Sequence, residues 1–332
     1  MRLSILDQSP ISANQTAKEA LNESMRLAQT GEALGYTRYW IAEHHDLPGL
    51  ACSAPEVMLS YIGANTKKIR IGSGAVLLPH YKPYKIAEVF NMLATLFPNR
   101  IDIGIGRAPG GSAEATNALS DKFLQNVWRF PSLINDLLNF LDNTFPEEHE
   151  FSKVSASPQP EIAPVPWLLG TSEKSALLAA KNGIPYTFGH FMSDNDGSFI
   201  VQQYLDHFKP REQTQKPQII VTVSAICAET TEKAEEIALS SLIWSIQKDK
   251  GDAHQGVPSI QDAKNYKLTI RESEKIESMK RNMVIGNPQE LKRKLIELKN
   301  TYKADEMMIN TITYSPGDRI QSYRCIAKEI LS

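Results

Sequence analysis

"IRIGSGAVLLPHYKPYKIAEVFNMLATLFPNRIDIGIGRAPGG", residues 69–111, decides how the chain is to be read. Ile69–Leu78 is a short apolar run that favours extension. Tyr84–Phe97 follows with helical character and is halted by Pro98. Ile101–Ile105 is a second apolar run. Strand, helix and strand within so few residues describe a crossover that brings two strands side by side in parallel.

The same unit extends in both directions. Upstream, Leu3–Leu6 reads as a strand. Ala17–Leu34 carries helical spacing at Ala20, Leu21, Ser24, Met25 and Ala28, and stops at Gly35, a good residue just past a helix end. Tyr39–Ala42 is the next strand and Pro55–Asn65 the next helix. Downstream, Leu124–Leu141 is a longer helix, broken or started afresh near Pro131. "PVPWLLG" (164–170) is a fifth strand, Ser172–Asn182 its helix and Gly183 its close. Pro185–Phe188, Gln218–Ala228 and Asp305–Ile309 read as strands six to eight. Their helices are Asp194–Phe208, Thr230–Gln247 and Gly317–Leu331. Eight βα units in 332 residues predict an α/β protein with a (β/α)8 TIM barrel, one domain over residues 1–332. A doubly wound open sheet is the main alternative. Lys248–Val284 breaks the alternation, being polar, charged and without a clear apolar period. It reads as an insertion before the last βα unit, the kind of excursion that often lies over an active-site face.

Bulk properties exclude several classes. Lys and Arg number 36 against 38 Asp and Glu, a net charge of −2, so no nucleic acid or anionic membrane partner is expected. No apolar run approaches the roughly 20 residues of a membrane span, and "MRLSILDQSP" lacks the apolar core of a signal peptide. Three scattered cysteines suit a reducing cytoplasm and argue against a disulfide framework.

In a barrel of this kind the strand C-termini carry function. "AEHH" (42–45) places two histidines together after the second strand. On a strand end they point opposite ways, so only one faces the mouth. That one can move a proton, while the other packs under a loop. A metal site would draw on Asp7, Glu43 and Asp46. Gly72–Ala75 is a run of small residues that either invites a flat ligand or marks a bulge. "GIGRAPGG" (104–111) lacks dinucleotide-fingerprint spacing and leaves Arg107 at a strand tip, as an oxyanion fork or a plain surface residue. "GTSEKS" (170–175) opens a helix, either as an anion site or as an ordinary cap at Thr171 or Ser172. If the fold is right, Arg107 and this helix start could converge on one phosphate.

On "AEHH", the 71–111 block, "LLGTSEKSALLAAKNGIPYTF" (168–188) and "VIGNPQEL" (284–291), nearly the whole chain resembles the bacterial luciferase-like flavin-dependent monooxygenases. The resemblance implies a barrel that binds reduced FMN at the strand C-termini, or F420 in the hydride-transferring relatives. It puts a non-proline cis peptide at Gly74–Ala75 and the phosphate at Arg107, Gly170, Thr171, Ser172 and Ser175. It makes His44 the acid/base near the reactive edge, with His45 in support. His80, Tyr81, His190, Phe191 and Trp244 are candidate pocket walls, and 248–284 corresponds to a mobile lid. The implied reaction is monooxygenation of a small organic substrate such as an aldehyde. The implied partners are a flavin reductase supplying FMNH2 and a second copy in a homodimer. Two departures stand out. Thr171 replaces an acidic residue and Gly106 replaces a reactive cysteine of the light-emitting subunit, and nothing supports light emission. A metal-dependent barrel hydrolase using Asp7, His44 and His45, and a flavin-binding protein without turnover, are the other readings.

Overall fold

The computed structural model describes residues 1–193, 195–212, 214–251 and 256–331. In it β1 (Arg2–Asp7) leads to α1 (Ala17–Leu34), β2 (Arg38–Ile41) to α2 (Pro55–Ala64), and β3 (Arg70–Leu77) to α3 (Pro83–Leu96). β4 (Ile101–Gly106) is followed by α4 (Ala113–Leu119), α5 (Phe123–Trp128) and α6 (Phe130–Asp142). β5 (Val165–Gly170) leads to α7 (Glu173–Lys181), β6 (Tyr186–Gly189) to α8 (Gly197–His207), and β7 (Ile219–Cys227) to α9 (Thr231–Lys250). Then come α10 (Ile260–Asn265), α11 (Ile270–Arg281), β8 (Met283–Gly286), α12 (Pro288–Thr301), β9 (Glu306–Asn310) and α13 (Pro316–Ile330).

β1 through β7 pair in sequence, β7 pairs β9, and β9 returns to β1, every pairing parallel. This is the closed eight-stranded barrel that the βα count predicts, wrapped by helices, and not an open sheet. β8 is a ninth strand. It lies beside Ser224–Cys227, the end of β7 that overshoots the ring.

Side-chain alternation sorts the two cores. Leu3, Ile5, Tyr39, Ile41, Ile103, Tyr186, Phe188 and Val221 point outward and pack with the helices. Their neighbours Leu6, Trp40, Trp167, Ile220 and Met308 point inward and fill the barrel. The edge-on contact of Trp40 and Trp167, ring centres 5.6 Å apart, makes a solid plug rather than a pore. Below it, at the strand N-termini, Arg38 bonds Asp102 at 2.8 Å and Glu306 at 2.7 Å, and Arg70 bonds Asp102 at 2.7 Å. Two cations and two anions balance there, which is what burial of charge requires.

Local chemistry sets the boundaries. Thr16 and Glu19 form a capping box at the head of α1, and Gly35 ends it at φ 84°. The predicted helix Leu124–Leu141 is two, α5 and α6, separated at Arg129, with Pro131 in the first turn of α6. α4 before them has no sequence expectation. α8 is capped by Asp196, and Asp194, where that helix was expected to begin, lies outside the described residues.

Lys248–Val284 differs from the sequence expectation. It holds the last turn of α9, all of α10 and α11, and the start of β8. Residues 252–255 within it lie outside the described residues. α11 buries only Glu272 and Ile276, so it shows no apolar stripe, and a Thr269/Glu272 capping box starts it. α12, also unassigned from sequence, begins on Asn287 and Pro288 with Glu290 closing its capping box, and buries Leu291 and Leu295. Among the described residues no helix is long and apolar enough to cross a membrane.

Candidate active site at the barrel mouth

Adjacent histidines after β2 divide as strand alternation demands. Tyr39 and Ile41 face the helices, and Glu43 and His45 continue on that side. Glu43 is 3% exposed and is surrounded by donors. The Leu77 amide donates to it at 2.9 Å and the Tyr81 hydroxyl at 2.6 Å, and His45 Nε2 lies 2.7 Å away. His45 is therefore a structural partner of Glu43. His80 belongs to the same cluster. Its Nε2 lies 2.8 Å from the Pro109 carbonyl and its ring stacks on Phe123 at 4.6 Å. Tyr81 and His80 are thus committed to the layer that supports the mouth.

His44 continues the inward series of Arg38 and Trp40. Its amide donates to Cys52 O at 2.9 Å, which fixes the backbone. Its ring Nδ1 is buried with no hydrogen-bond partner among the described residues. Burial first, then the charge of Lys248, then His45, lower its pKa to about 4. At neutral pH the ring is uncharged.

The floor beside His44 is made of small residues. Gly74 and Ala75 are joined by a cis peptide. Ser73 pairs Ile103 and Val76 pairs Ile105, so β3 spends two residues against one of β4, and the bulge reading holds. A Cβ on Gly74 would meet Leu6 at 2.5 Å, and one on Gly106 would meet the Ala75 methyl at 2.9 Å. Phe191 packs over the inner cluster from the far side. His190 Nδ1 lies 2.9 Å from the Tyr302 hydroxyl, and burial lowers its pKa.

β4 and β5 are adjacent, with Ile105 beside Leu168, so Arg107 and Thr171 follow neighbouring strand ends. Arg107 is exposed and makes no hydrogen bond or ion pair among the described residues. Ser172 is the N-cap of α7, and its hydroxyl accepts from the Ser175 amide at 3.4 Å. Ser175 Oγ donates to Ser172 O at 2.6 Å and lies 3.0 Å from the Tyr186 hydroxyl. Gly170 is required here, because a Cβ would overlap Ser175 Oγ. The plain capping reading of Ser172 is therefore correct. The remaining first-turn N–H groups have no helical acceptor and point outward with the positive end of the dipole.

Trp244 roofs the opposite side, packed with Leu50 and Val257, its Nε1 buried without a partner. Lys248, one turn later on α9, sets its ammonium 4.2 Å from the Trp244 ring centre. Lys248 entered the sequence reading only as a boundary. Its spacing from Trp244 is the signal that could have found it.

A metal centre does not assemble. Asp7 faces outward, bonded to the Tyr39 hydroxyl, to Arg319 and, at 2.6 Å, to the Ser9 amide. No group of three or more potential ligands gathers among the described residues. Asp7, His44 and His45 thus point three ways, and the hydrolase reading fails on geometry. A groove of about 790 Å³ on the flank, between α9, β8 and α12, is lined by charges that pair among themselves, Glu236 with Lys233 at 2.6 Å and with Lys264 at 2.5 Å.

A closed parallel barrel with a small-residue floor, an uncharged buried histidine and a free arginine at its C-terminal face defines an enzyme class that seats a flat, anionic cofactor. The chain belongs to the luciferase-like monooxygenase family, whose model matches residues 1–304. It is 35% identical over 335 residues to the N-acetyl-S-alkylcysteine monooxygenase of Bacillus subtilis (strain 168), covering 100% of this chain and 99% of that one. Apo-MsnO8 superposes with a TM-score of 0.85 at 30% identity, over 99% of this chain and 97% of that one. The fold alone is shared with the oxygenating constituent of 3,6-diketocamphane monooxygenase of Pseudomonas putida, a complex with FMN (TM-score 0.71, 17% identity, 99% and 98% covered). It is shared likewise with an F420-dependent secondary alcohol dehydrogenase (0.68, 13%, 99% and 98%).

The residues present fit a flavin. Glycines at 74 and 106 leave room that any Cβ would fill. His44 Nδ1 and Thr187 Oγ1 are buried polar atoms without protein partners, and such atoms cost roughly 1–3 kcal/mol unless something satisfies them.

Proposed function

We propose that the protein is the oxygenase of a two-component FMN-dependent monooxygenase, receiving reduced FMN from a separate reductase in the cytoplasm. The observation that carries this is the unpartnered, buried Nδ1 of His44 beside the Gly74, Ala75 and Gly106 floor. When bound, reduced flavin supplies the electrons that activate O2 and deliver one oxygen atom to the substrate. The chain supplies the rest. Arg107 and the head of α7, at Gly170, Thr171, Ser172 and Ser175, hold the phosphate. The Trp40–Trp167 plug closes the floor to water. His44, uncharged at neutral pH, takes up a proton at Nδ1 and hands it on. His190, Phe191 and Trp244 wall the substrate, and 248–284 serves as a lid. A small aldehyde is one candidate substrate. A thioether is another, in view of the 35% identical relative named for N-acetyl-S-alkylcysteines. A homodimer is the expected assembly.

The test is titration of the purified protein with FMN, chemically reduced FMN and F420, each repeated with Arg107→Ala. Tightest binding of reduced FMN, weakened about tenfold or more by the substitution, supports the reading. Binding of F420 alone would turn the reaction into hydride transfer. Binding of none of the three overturns it.

A further inference from the structure

A half-buried ammonium normally finds a carboxylate. Lys248 has none. Among the described residues its only close partner is the face of Trp244, 4.2 Å from the ring centre. Its chain neighbour Asp249 instead forms an ion pair with Lys275. Burial lowers the Lys248 pKa, and its charge is the second cause, after burial, of the low pKa of His44. The ammonium therefore stands within electrostatic reach of the proposed catalytic histidine. It rises from α9, which follows β7, whereas the proposed phosphate site lies on β4 and β5, on the other side of the ring. Three groups converge here with unmet capacity: the Lys248 ammonium, His44 Nδ1 and Trp244 Nε1. Two are donors and the third is a donor or an acceptor according to its tautomer, and the nearest acid is turned away.

We propose that Lys248 is a specificity-determining residue whose ammonium, backed by Trp244, binds an anionic group of the organic substrate, a carboxylate carried a short distance from the atom that is oxidised. This rests on the monooxygenase reading and names the substrate class that reading leaves open. Trp244 then has two tasks. Its ring face holds the Lys248 stem in place, and its indole N–H offers a second donor to the same anion. An ester or amide of the same molecule would lose the ionic contact and leave the ammonium buried and unpaired.

The experiment uses calorimetry on the flavin-free protein and on the anaerobic protein loaded with reduced FMN. Ligands are a panel of alkyl- and aryl-thioether carboxylic acids, N-acetyl-S-benzylcysteine among them, each paired with its neutral methylamide. Wild type is compared with Lys248→Met, which keeps the stem on Trp244, and with Lys248→Arg. The acid is expected to bind about ten- to a hundredfold tighter than its amide in wild type, as a charge-assisted contact allows. The preference should vanish in Lys248→Met and largely return in Lys248→Arg, with affinity for reduced FMN changed less than about twofold in either variant. No charge preference in any pair overturns the proposal, as does a preference that survives Lys248→Met. A Lys248→Met variant that loses reduced FMN instead assigns the ammonium to the cofactor phosphate and also overturns it. If wild type binds no flavin, the monooxygenase reading fails, while the acid–amide comparison on the flavin-free protein still decides the role of Lys248.

Discussion

Replacing His44 with glutamine should make the flavin-free protein more resistant to acid. Burial, with Lys248 and then His45 adding to it, lowers the His44 pKa from 6.5 to about 4. The unfolded chain therefore takes up a proton at this position before the folded protein does. Folding stability is unaffected above pH 7, falls as pH drops below 6.5, and stops falling once the folded state also protonates near pH 4. The full span is about 3 kcal/mol, and the part lost between pH 7 and pH 5 is about 2 kcal/mol. Glutamine has no proton to gain and keeps a polar group of similar reach. Urea unfolding of both proteins at half-unit steps from pH 7 to pH 5 gives the comparison. Other titrating groups, His190 among them, act equally in both and cancel in the difference. Wild type should lose about 2 kcal/mol more than the variant across that range. Equal slopes would refute the reasoning, and so would a His44 ring titrating near 6.5 by NMR, because the imidazole would then not be buried beside a cation.

Two further outcomes follow from the geometry. Asp7→Asn removes the charge facing Arg319 in the outer core, so stability should drop by about 3–5 kcal/mol, read as a lower urea midpoint. The metal content of wild type by plasma mass spectrometry should be nil, and stoichiometric zinc or manganese lost with Asp7 would show that its placement is wrong. Gly106→Val puts a branched side chain where even a Cβ lies 2.9 Å from the Ala75 methyl. Reduced-FMN affinity should fall at least about tenfold, with an overpacking cost of about 1–3 kcal/mol. Unchanged affinity would remove this floor from the cofactor site.

Much of this was legible because the barrel repeats one local rule. The Ala17–Leu34 helix ends where Gly35 permits it, and the eight ring strands are apolar enough to be seen singly. His44 and His45 were separable by strand alternation alone. What escaped had weak local signals. β8 is four residues long and stabilised only by the overshoot of β7, and α11 buries two side chains and relies on its cap. The T-x-x-E at 269–272 and the N-P-x-E at 287–290 were visible signs of helix starts that a search for apolar periods passes over. The Glu43 cluster joins residues 43, 45, 77 and 81 through two strand ends, and no spacing rule reveals it. Arg107 was found for the opposite reason, since a strand-tip cation with nothing nearby to pair with needs no tertiary knowledge.

Lys248 and His44 are electrostatically linked, and that link has a direction. With its charge unpaired, Lys248 helps keep His44 deprotonated, second only to burial. A carboxylate seated on Lys248 cancels that charge and adds a negative one, so the proton affinity of His44 rises as the ligand binds. Burial remains, and the recovery is partial. By linkage the same coupling acts in reverse. A protonated His44 favours the anion, and carboxylate affinity should strengthen as pH falls from 6 toward 4.5, provided the ligand's own carboxyl stays ionised. Calorimetry near pH 5 in two buffers of different ionisation enthalpy would register a fractional proton uptake on binding the acid and none on binding its amide, and Lys248→Met would remove the difference. Uptake that persisted in that variant would mean the proton goes elsewhere. The arrangement has a chemical logic for a site that must receive a proton only when a substrate is present. The cation that selects the substrate also holds the histidine in its accepting form until the substrate arrives.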